Sequence, residues 1–77
     1  MPYIAIKAWP NDDPEKKAKL VEALNKSLLD VWGCPPHAVT ISFEEVAKED
    51  WEEKVVKAEI EPKADKIWIR QGEKKYL

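Results

Sequence analysis

The chain has 77 residues, of which 36% are charged, and a formal net charge of −2. This mixed, slightly acidic balance argues against nucleic-acid binding, which needs a basic face, and no apolar run approaches the ~20 residues of a membrane span. One cysteine and one histidine leave no internal disulfide and no metal-ligand cluster, so we expect a single domain over residues 1–77 that gains burial by self-association.

The first two predicted elements are a strand and a long helix. Residues Tyr3 to Trp9 alternate between two faces, which predicts a strand that the turn residues PNDDP end. In the same turn Asp13 suits a helix N-cap and Pro14 suits the first helical position. Apolar residues then recur at three- and four-residue steps as far as Trp32, which predicts one amphipathic helix of about five turns that ends at Gly33.

A second strand is predicted after this helix. Ala38 to Val46 alternates again, and a strand–helix–strand order implies a right-handed crossover with parallel pairing. The predicted fold class is therefore α/β (α+β), a β-α-β unit in which a long helix crosses two parallel strands. A two-stranded sheet leaves exposed edges and an uncovered face that carries Tyr3 and Trp9, so we expect a homodimer with a four-stranded sheet, or a larger homo-oligomer.

The last third of the chain is predicted to contain short helices. Asp50 has Glu53 three residues on, a capping-box spacing that predicts a helix from Trp51. Pro62 interrupts this pattern. Weak helical spacing then resumes through Ala64, Ile67 and Trp68. The final residues, RQGEKKYL, read as a turn and a tail.

The common catalytic motifs find little support in this sequence. With two glycines, the chain holds no glycine-rich phosphate loop. Cys34 and His37 lie three residues apart, but no third residue marks an orienting partner, so a loop thiol and a surface imidazole are the preferred interpretation. The interleaved glutamates and lysines are typical of a solvated surface. A free cysteine without an export-signal pattern favours the reducing cytoplasm.

Pro2 is the candidate catalytic residue. A methionine before a small second residue is readily trimmed, and removal of Met1 would convert the Pro2 nitrogen into a secondary amine. An α-amino group ordinarily titrates at about 7.7–8.0, and an apolar pocket or a nearby cation lowers its pKa. The neutral amine could then accept a proton from a carbon next to a carbonyl and return it elsewhere, which is general acid–base catalysis.

Four features follow one another along the chain. Pro2 leads directly into a strand (PYIAIKAW), then come a capped helix (NDDPEKKAKLVEALNKSLLDVWG), a proline loop with a second strand (CPPHAVTISFEEV), and Trp51 after AKED. This order resembles the 4-oxalocrotonate tautomerase family over essentially the whole chain. The tail VVKAEIEPKADKIWIRQGEKKY looks most like its longer, dimer-forming branch, associated with phenylpyruvate-type tautomerisation. The resemblance implies the β-α-β fold, active sites at subunit interfaces, no cofactor, and Pro2 as the base.

Two positions depart from that family's pattern. Asp12 and Thr40 stand where the hexameric members carry substrate-binding arginines, so the resemblance supports proton transfer but not the diacid 4-oxalocrotonate as substrate. Trp51 matches the position of the family's active-site aromatic residue. We expect a small-molecule substrate with one carboxylate and an apolar or aromatic body, a 2-oxo acid or its enol such as phenylpyruvate, against a wall formed by Trp51 and Phe43. The candidate donors to its carboxylate or developing enolate are backbone N–H groups, Thr40, Lys7 and Arg70.

Two other functions stay open at this point. The first is a non-catalytic oligomeric scaffold or small-molecule-binding protein on the same fold, in which the arginines were never needed. The second is a neighbouring reaction of the same base, such as decarboxylation or the addition of water to an unsaturated acid. If Met1 is retained, the Pro2 nitrogen is an amide without basicity, and the enzyme hypothesis fails for that form.

Overall fold

Two parallel strands and a helix form the N-terminal unit of the chain. The computed structural model describes all 77 residues and divides them into this unit, Met1–Glu45, and a C-terminal unit, Val46–Leu77. Strand β1 (Tyr3–Ala8) is followed by helix α1 (Pro14–Ser27) and strand β2 (Thr40–Glu45). The strands pair in parallel from Tyr3 with Thr40 to Ala8 with Glu45, which confirms the predicted β-α-β order.

Helix α1 begins at the predicted N-cap, and the helical path that continues beyond it ends at the predicted glycine. The Asp13 side chain accepts a hydrogen bond from the Lys16 N–H at 3.1 Å, as an N-cap should. After Ser27 the helical path continues to Trp32 with π-type hydrogen bonding, over Leu28–Trp32. Gly33 then takes φ 82°, the left-handed conformation that glycine adopts without a Cβ clash, and its N–H bonds the Leu28 carbonyl at 3.1 Å.

The two faces of the sheet differ in what covers them. The helix-facing side carries the half-buried residues Ile4, Ile6, Ile41 and Phe43, and side chains of α1 line shared grooves with Ile4 and with Phe43. On the other side Tyr3 is 65% exposed, and its hydroxyl lies 3.3 Å from the Ser42 Oγ. The predicted alternation is confirmed over both strands, but the second strand begins at Thr40 and not at Ala38, which is buried in a 3-10 turn, Pro36–Ala38.

The first helical stretch of the C-terminal unit starts earlier than predicted. A 3-10 turn, Lys48–Asp50, leads through Trp51 into a π-helical segment, Glu52–Ile60. The predicted N-cap at Asp50 is wrong, because the residue before the first helical turn is Ala47 (φ −58°, ψ 145°) and Asp50 already lies within that turn. The Asp50 carboxylate instead pairs with Lys54 one turn later, at 3.5 Å.

The end of the chain forms a β-hairpin. Pro62 lies in the first turn of a 3-10 segment, Glu61–Lys66, which directly follows the π-helical segment. Ile67 is extended (φ −83°, ψ 123°), so the predicted helical spacing through Ile67 and Trp68 is wrong. Strand β3 (Ile69–Arg70) and strand β4 (Glu73–Lys74) pair in antiparallel fashion where only a turn and a tail were predicted. None of the helices has the length and apolar content to cross a membrane.

Candidate functional site

Pro2 is fixed immediately ahead of β1. Its carbonyl oxygen accepts a hydrogen bond from the Thr40 N–H at 3.2 Å, which extends the parallel ladder by one step beyond Tyr3. Pro2 is half-exposed, whereas Met1 is 95% exposed. The backbone of residue 2 is therefore held beside the start of β2, while the residue ahead of it extends into solvent.

Thr40 and Phe43 lie at different places on β2. Thr40 is exposed and pairs with Tyr3, next to Pro2. Phe43 pairs with Ile6 and lies three residues, about 10 Å, further along the strand. It faces α1, where it lines a groove of about 440 Å³ with Lys17 and Glu45. Within this unit the structure brings Thr40 to Pro2 and puts Phe43 against the helix.

Trp51 and Arg70 come together in the C-terminal unit. They line one cavity of about 260 Å³, which we call the Trp51 cavity, and its remaining walls are mostly aliphatic: Val56, Ile60, Ile67 and Ile69. Arg70 is half-buried, and no carboxylate lies within the 4.0 Å of a salt bridge from its guanidinium. A planar cation beside an indole and an aliphatic wall is suited to a molecule that carries one carboxylate and an apolar body.

A second, larger cavity also has Arg70 in its wall. It has a volume of about 450 Å³ and is lined by Arg70, Trp68, Lys75 and Tyr76, among others; we call it the hairpin cavity. The sequence does not predict this cavity, because the helical spacing through Ala64, Ile67 and Trp68 favours a helix there. The short alternation IWIR was the signal that could have found it, since period two places Trp68 and Arg70 on one side of a strand.

Three other residues singled out in the sequence, Asp12, Cys34 and His37, line neither of these two cavities. Asp12 is exposed in the turn before α1. The Cys34 thiol donates to the Leu28 carbonyl at 3.7 Å, and His37 is exposed in a 3-10 turn, Pro36–Ala38. No three His, Cys, Asp or Glu side chains are grouped so that they could hold a metal ion.

One protein family matches most of the chain. A family described as "Tautomerase enzyme" matches residues 2–57, more than half of the chain, and the match starts at Pro2. This chain belongs to the tautomerase family. Membership supports tautomerase-type isomerase chemistry on small molecules, and the family is typically oligomeric.

Individual tautomerases resemble the whole chain. A "Probable tautomerase" of Xylella fastidiosa (strain 9a5c) is 29% identical over 72 residues, which cover 94% of this chain and 88% of that protein. "Tautomerase PptA" of Enterobacter sp. (strain 638) is 29% identical over 73 residues, which cover 94% of this chain and 96% of the relative.

Two solved structures share the fold. TomN, a 4-oxalocrotonate tautomerase homologue in the tomaymycin biosynthetic pathway, superposes with a TM-score of 0.61 at 32% identity, over 65% of this chain and 77% of its own. YwhB, also a homologue of 4-oxalocrotonate tautomerase, gives a TM-score of 0.57 at 26% identity, over 61% and 77%. These similarities confirm the tautomerase fold inferred from the order of sequence features.

Proposed function

We propose that this chain is a cofactor-independent keto–enol tautomerase in which Pro2, freed by removal of Met1, is the general acid and base. The observation that carries the proposal is the family match, which begins at Pro2 itself. The hydrogen bond from the Thr40 N–H to the Pro2 carbonyl supports it, because it holds residue 2 in a fixed position while its nitrogen makes no bond to the sheet.

The proposed reaction moves one proton within the substrate. For ketonisation, the neutral secondary amine of Pro2 takes the proton from the C2 hydroxyl of the enol as the C2–O bond becomes a carbonyl. The C2–C3 double-bond electrons then take that proton from the prolinium nitrogen, so that C3 is protonated and the amine is restored. Atoms and charge balance without an oxidant, a metal or a second reactant.

The proposed substrate is a 2-oxo acid, or its enol, with an aromatic or apolar body. Asp12 and Thr40 offer no cation for a second carboxylate, which argues against a dicarboxylate such as 4-oxalocrotonate. Arg70, the one arginine of the chain, shares a cavity with Trp51, which suits one carboxylate and an aromatic ring. We propose Trp51 and Arg70 as substrate-binding residues, the Thr40 hydroxyl as a weaker donor and Phe43 as an apolar contact.

The test compares a free amine with an amide at residue 2. The trimmed protein, verified by intact mass, is assayed for ketonisation of enol-phenylpyruvate beside a variant with one extra residue that stays ahead of Pro2, and beside Pro2→Ala. We expect kcat/KM to fall by about 10²–10⁴-fold in both variants, because the proton-transfer group is lost or altered. On the acidic side of the pH profile, kcat/KM should rise with pH as the base loses its proton. The midpoint of this rise should lie below the ordinary α-amine range of about 7.7–8.0.

Arg70→Gln measures substrate binding separately. It should raise KM for phenylpyruvate by about tenfold or more, because a charge-assisted hydrogen bond to the carboxylate is lost. Lys26→Gln, on the exposed surface of α1, is the matched loss of one positive charge. Equal rates for the trimmed, extended and Pro2→Ala proteins would contradict catalysis by Pro2 and favour a binding or scaffold protein on the same fold.

A further inference from the structure

Two aromatic rings stand next to each other in the hairpin cavity without being part of a core. The centroids of Trp68 and Tyr76 are 5.6 Å apart, with the ring planes tilted by 37°. Trp68 is 68% exposed and Tyr76 is 52% exposed. Both rings line the hairpin cavity, so much of their apolar surface outside the ring pair faces an open space of about 450 Å³.

The backbone of the hairpin fixes these rings. The Lys75 N–H donates to the Trp68 carbonyl at 2.6 Å, one step beyond the pairing of β3 with β4. This bond ties the residue before Tyr76 to Trp68, so the two rings are held at the same end of the hairpin. An aromatic pair whose spacing is set by the backbone offers a preformed surface to a third ring.

The charged side chains of the same cavity favour a ligand with one negative charge. Its lining includes two cations, Arg70 and Lys75, and one carboxylate, Asp65. Lys75 is engaged by Glu73 at 3.2 Å, whereas the half-buried Arg70 guanidinium has no such partner. Arg70 is therefore the cation that remains available to an anion in the cavity, and its planar fork matches a carboxylate.

We propose that the hairpin cavity is a binding site for an aromatic monocarboxylate, with the ligand's ring beside Trp68 and Tyr76 and its carboxylate on Arg70. A volume of about 450 Å³ falls within the range of small-molecule sites and holds a one-ring acid. This site goes beyond the proposed tautomerase function, since it makes no use of Pro2, and the Trp51 ring lines only the other cavity. Arg70 lines both cavities, so one guanidinium can serve one carboxylate at a time.

The binding test uses phenylacetate, which carries the ring and the carboxylate but has no 2-oxo group to enolise. Titration of the full chain, followed by the indole N–H signals in a ¹H–¹⁵N NMR spectrum, should shift the Trp68 signal saturably while that of Trp32, in the N-terminal unit, stays in place. Phenylacetamide is the neutral probe of the same shape. Its affinity should be lower by about tenfold or more, because it loses the charge-assisted bond to Arg70. Acetate, which lacks the ring, should give no saturable shift at Trp68.

Four variants locate the ligand. Arg70→Gln should weaken phenylacetate binding about tenfold, and Trp68→Leu about fivefold through loss of the ring contact. The affinity of each variant is read from the backbone amide signal of Lys75, because Trp68→Leu has no indole signal at residue 68. Trp51→Leu should keep a saturable response at the hairpin cavity, because the Trp51 ring lines only the other cavity, and Trp32→Leu in the N-terminal unit is the control that should leave the affinity unchanged. None of these readouts depends on catalysis by Pro2.

Several outcomes would overturn the proposal. Binding that is lost in Trp51→Leu and kept in Trp68→Leu would assign the ligand to the Trp51 cavity. Equal affinity for phenylacetate and phenylacetamide would remove the role of Arg70, and this comparison needs no variant that could misfold. Absence of a saturable shift, together with a change of sedimentation in Trp68→Leu, would show that the ring pair is a contact between copies of the chain.

Discussion

At the scale of single residues, one carboxylate joins three segments of the N-terminal unit. The Glu45 carboxylate at the end of β2 accepts a hydrogen bond from the Asn11 N–H at 2.6 Å and pairs with Lys17 on α1 at 2.7 Å. The hydrogen bond from Lys17, followed by that from Asn11, lowers the pKa of Glu45 below its ordinary value of 4.5. Glu45 therefore holds the turn after β1, which carries Asp12, in place beside the end of β2.

This lowered pKa predicts a pH dependence of stability. Because the folded state holds the Glu45 proton less tightly than the unfolded state, the contribution is present above pH 4.5 and is lost as the pH falls through the lower folded-state pKa. In urea titrations at fixed protein concentration, the free energy of unfolding should be lower for Glu45→Gln than for the unmodified chain at pH 7, and the two should converge near pH 3. Glu22→Gln, an exposed carboxylate on α1, is the control and should show no such difference; a gap for Glu45→Gln that persists at pH 3 would contradict the assignment.

At the scale of elements, the β3–β4 hairpin depends on the two residues of its turn. Gln71 (φ 49°) and Gly72 (φ 81°) both have positive φ, the requirement of a type I′ turn between two strands. Glycine meets this requirement freely, whereas glutamine is strained there and asparagine is favoured. The turn therefore positions Arg70, which directly precedes it, and its stability governs both cavities of the C-terminal unit.

Substitutions in this turn should act in opposite directions. Gln71→Asn should stabilise the hairpin by several tenths of a kcal/mol, and Gly72→Ala should destabilise it by about 1 kcal/mol. An added Cβ at Gly72 meets no atom within 4 Å, so this cost comes from the backbone conformation alone. Hydrogen exchange of the Lys75 amide, which bonds the Trp68 carbonyl, reports the hairpin locally. Faster exchange in Gln71→Asn, or unchanged exchange in Gly72→Ala, would contradict the turn assignment.

At the scale of the whole molecule, little apolar surface is removed from water. Only Ala38, Val46 and Val55 are buried, at 5–6% exposure, and no side chain is fully buried. Large apolar side chains stay open to solvent, among them Tyr3 on the uncovered sheet face, at 65%, and Val31, at 86%. A chain of 77 residues with so small a core needs further burial to be stable, so we propose self-association through the uncovered face of the β1–β2 sheet.

Self-association should be visible in solution. We expect a dimer or larger homo-oligomer in sedimentation, and a urea midpoint that rises with protein concentration because association stabilises the folded chain. Tyr3→Lys should weaken the association by placing a charge on the uncovered face. Leu20→Lys, at a 45% exposed position of α1, is the matched control and should sediment like the unmodified chain. A monomer with a concentration-independent midpoint would contradict the proposal.

The sequence alone determined the elements whose signals lie within a few residues of one another. The alternation of β1 and β2, the Asp13 cap and Gly33 at the end of the helical path are local preferences, and each was confirmed. The order of these signals after Pro2 was sufficient to infer the tautomerase fold. Pro2 as the base remains a proposal, because its chemistry depends on whether Met1 is removed.

Only the tertiary structure decided which distant residues meet. Glu45 reaches Asn11 across 34 positions of sequence, and Arg70 reaches the cavity of Trp51 through a kinked helical path and a hairpin with strands of two residues. The alternation over IWIR spans only four residues, too few to predict a strand without its partner, and the positive φ of Gln71 runs against the preference of glutamine. Such contacts depend on where the chain folds back on itself, and no spacing between neighbouring residues encodes that path.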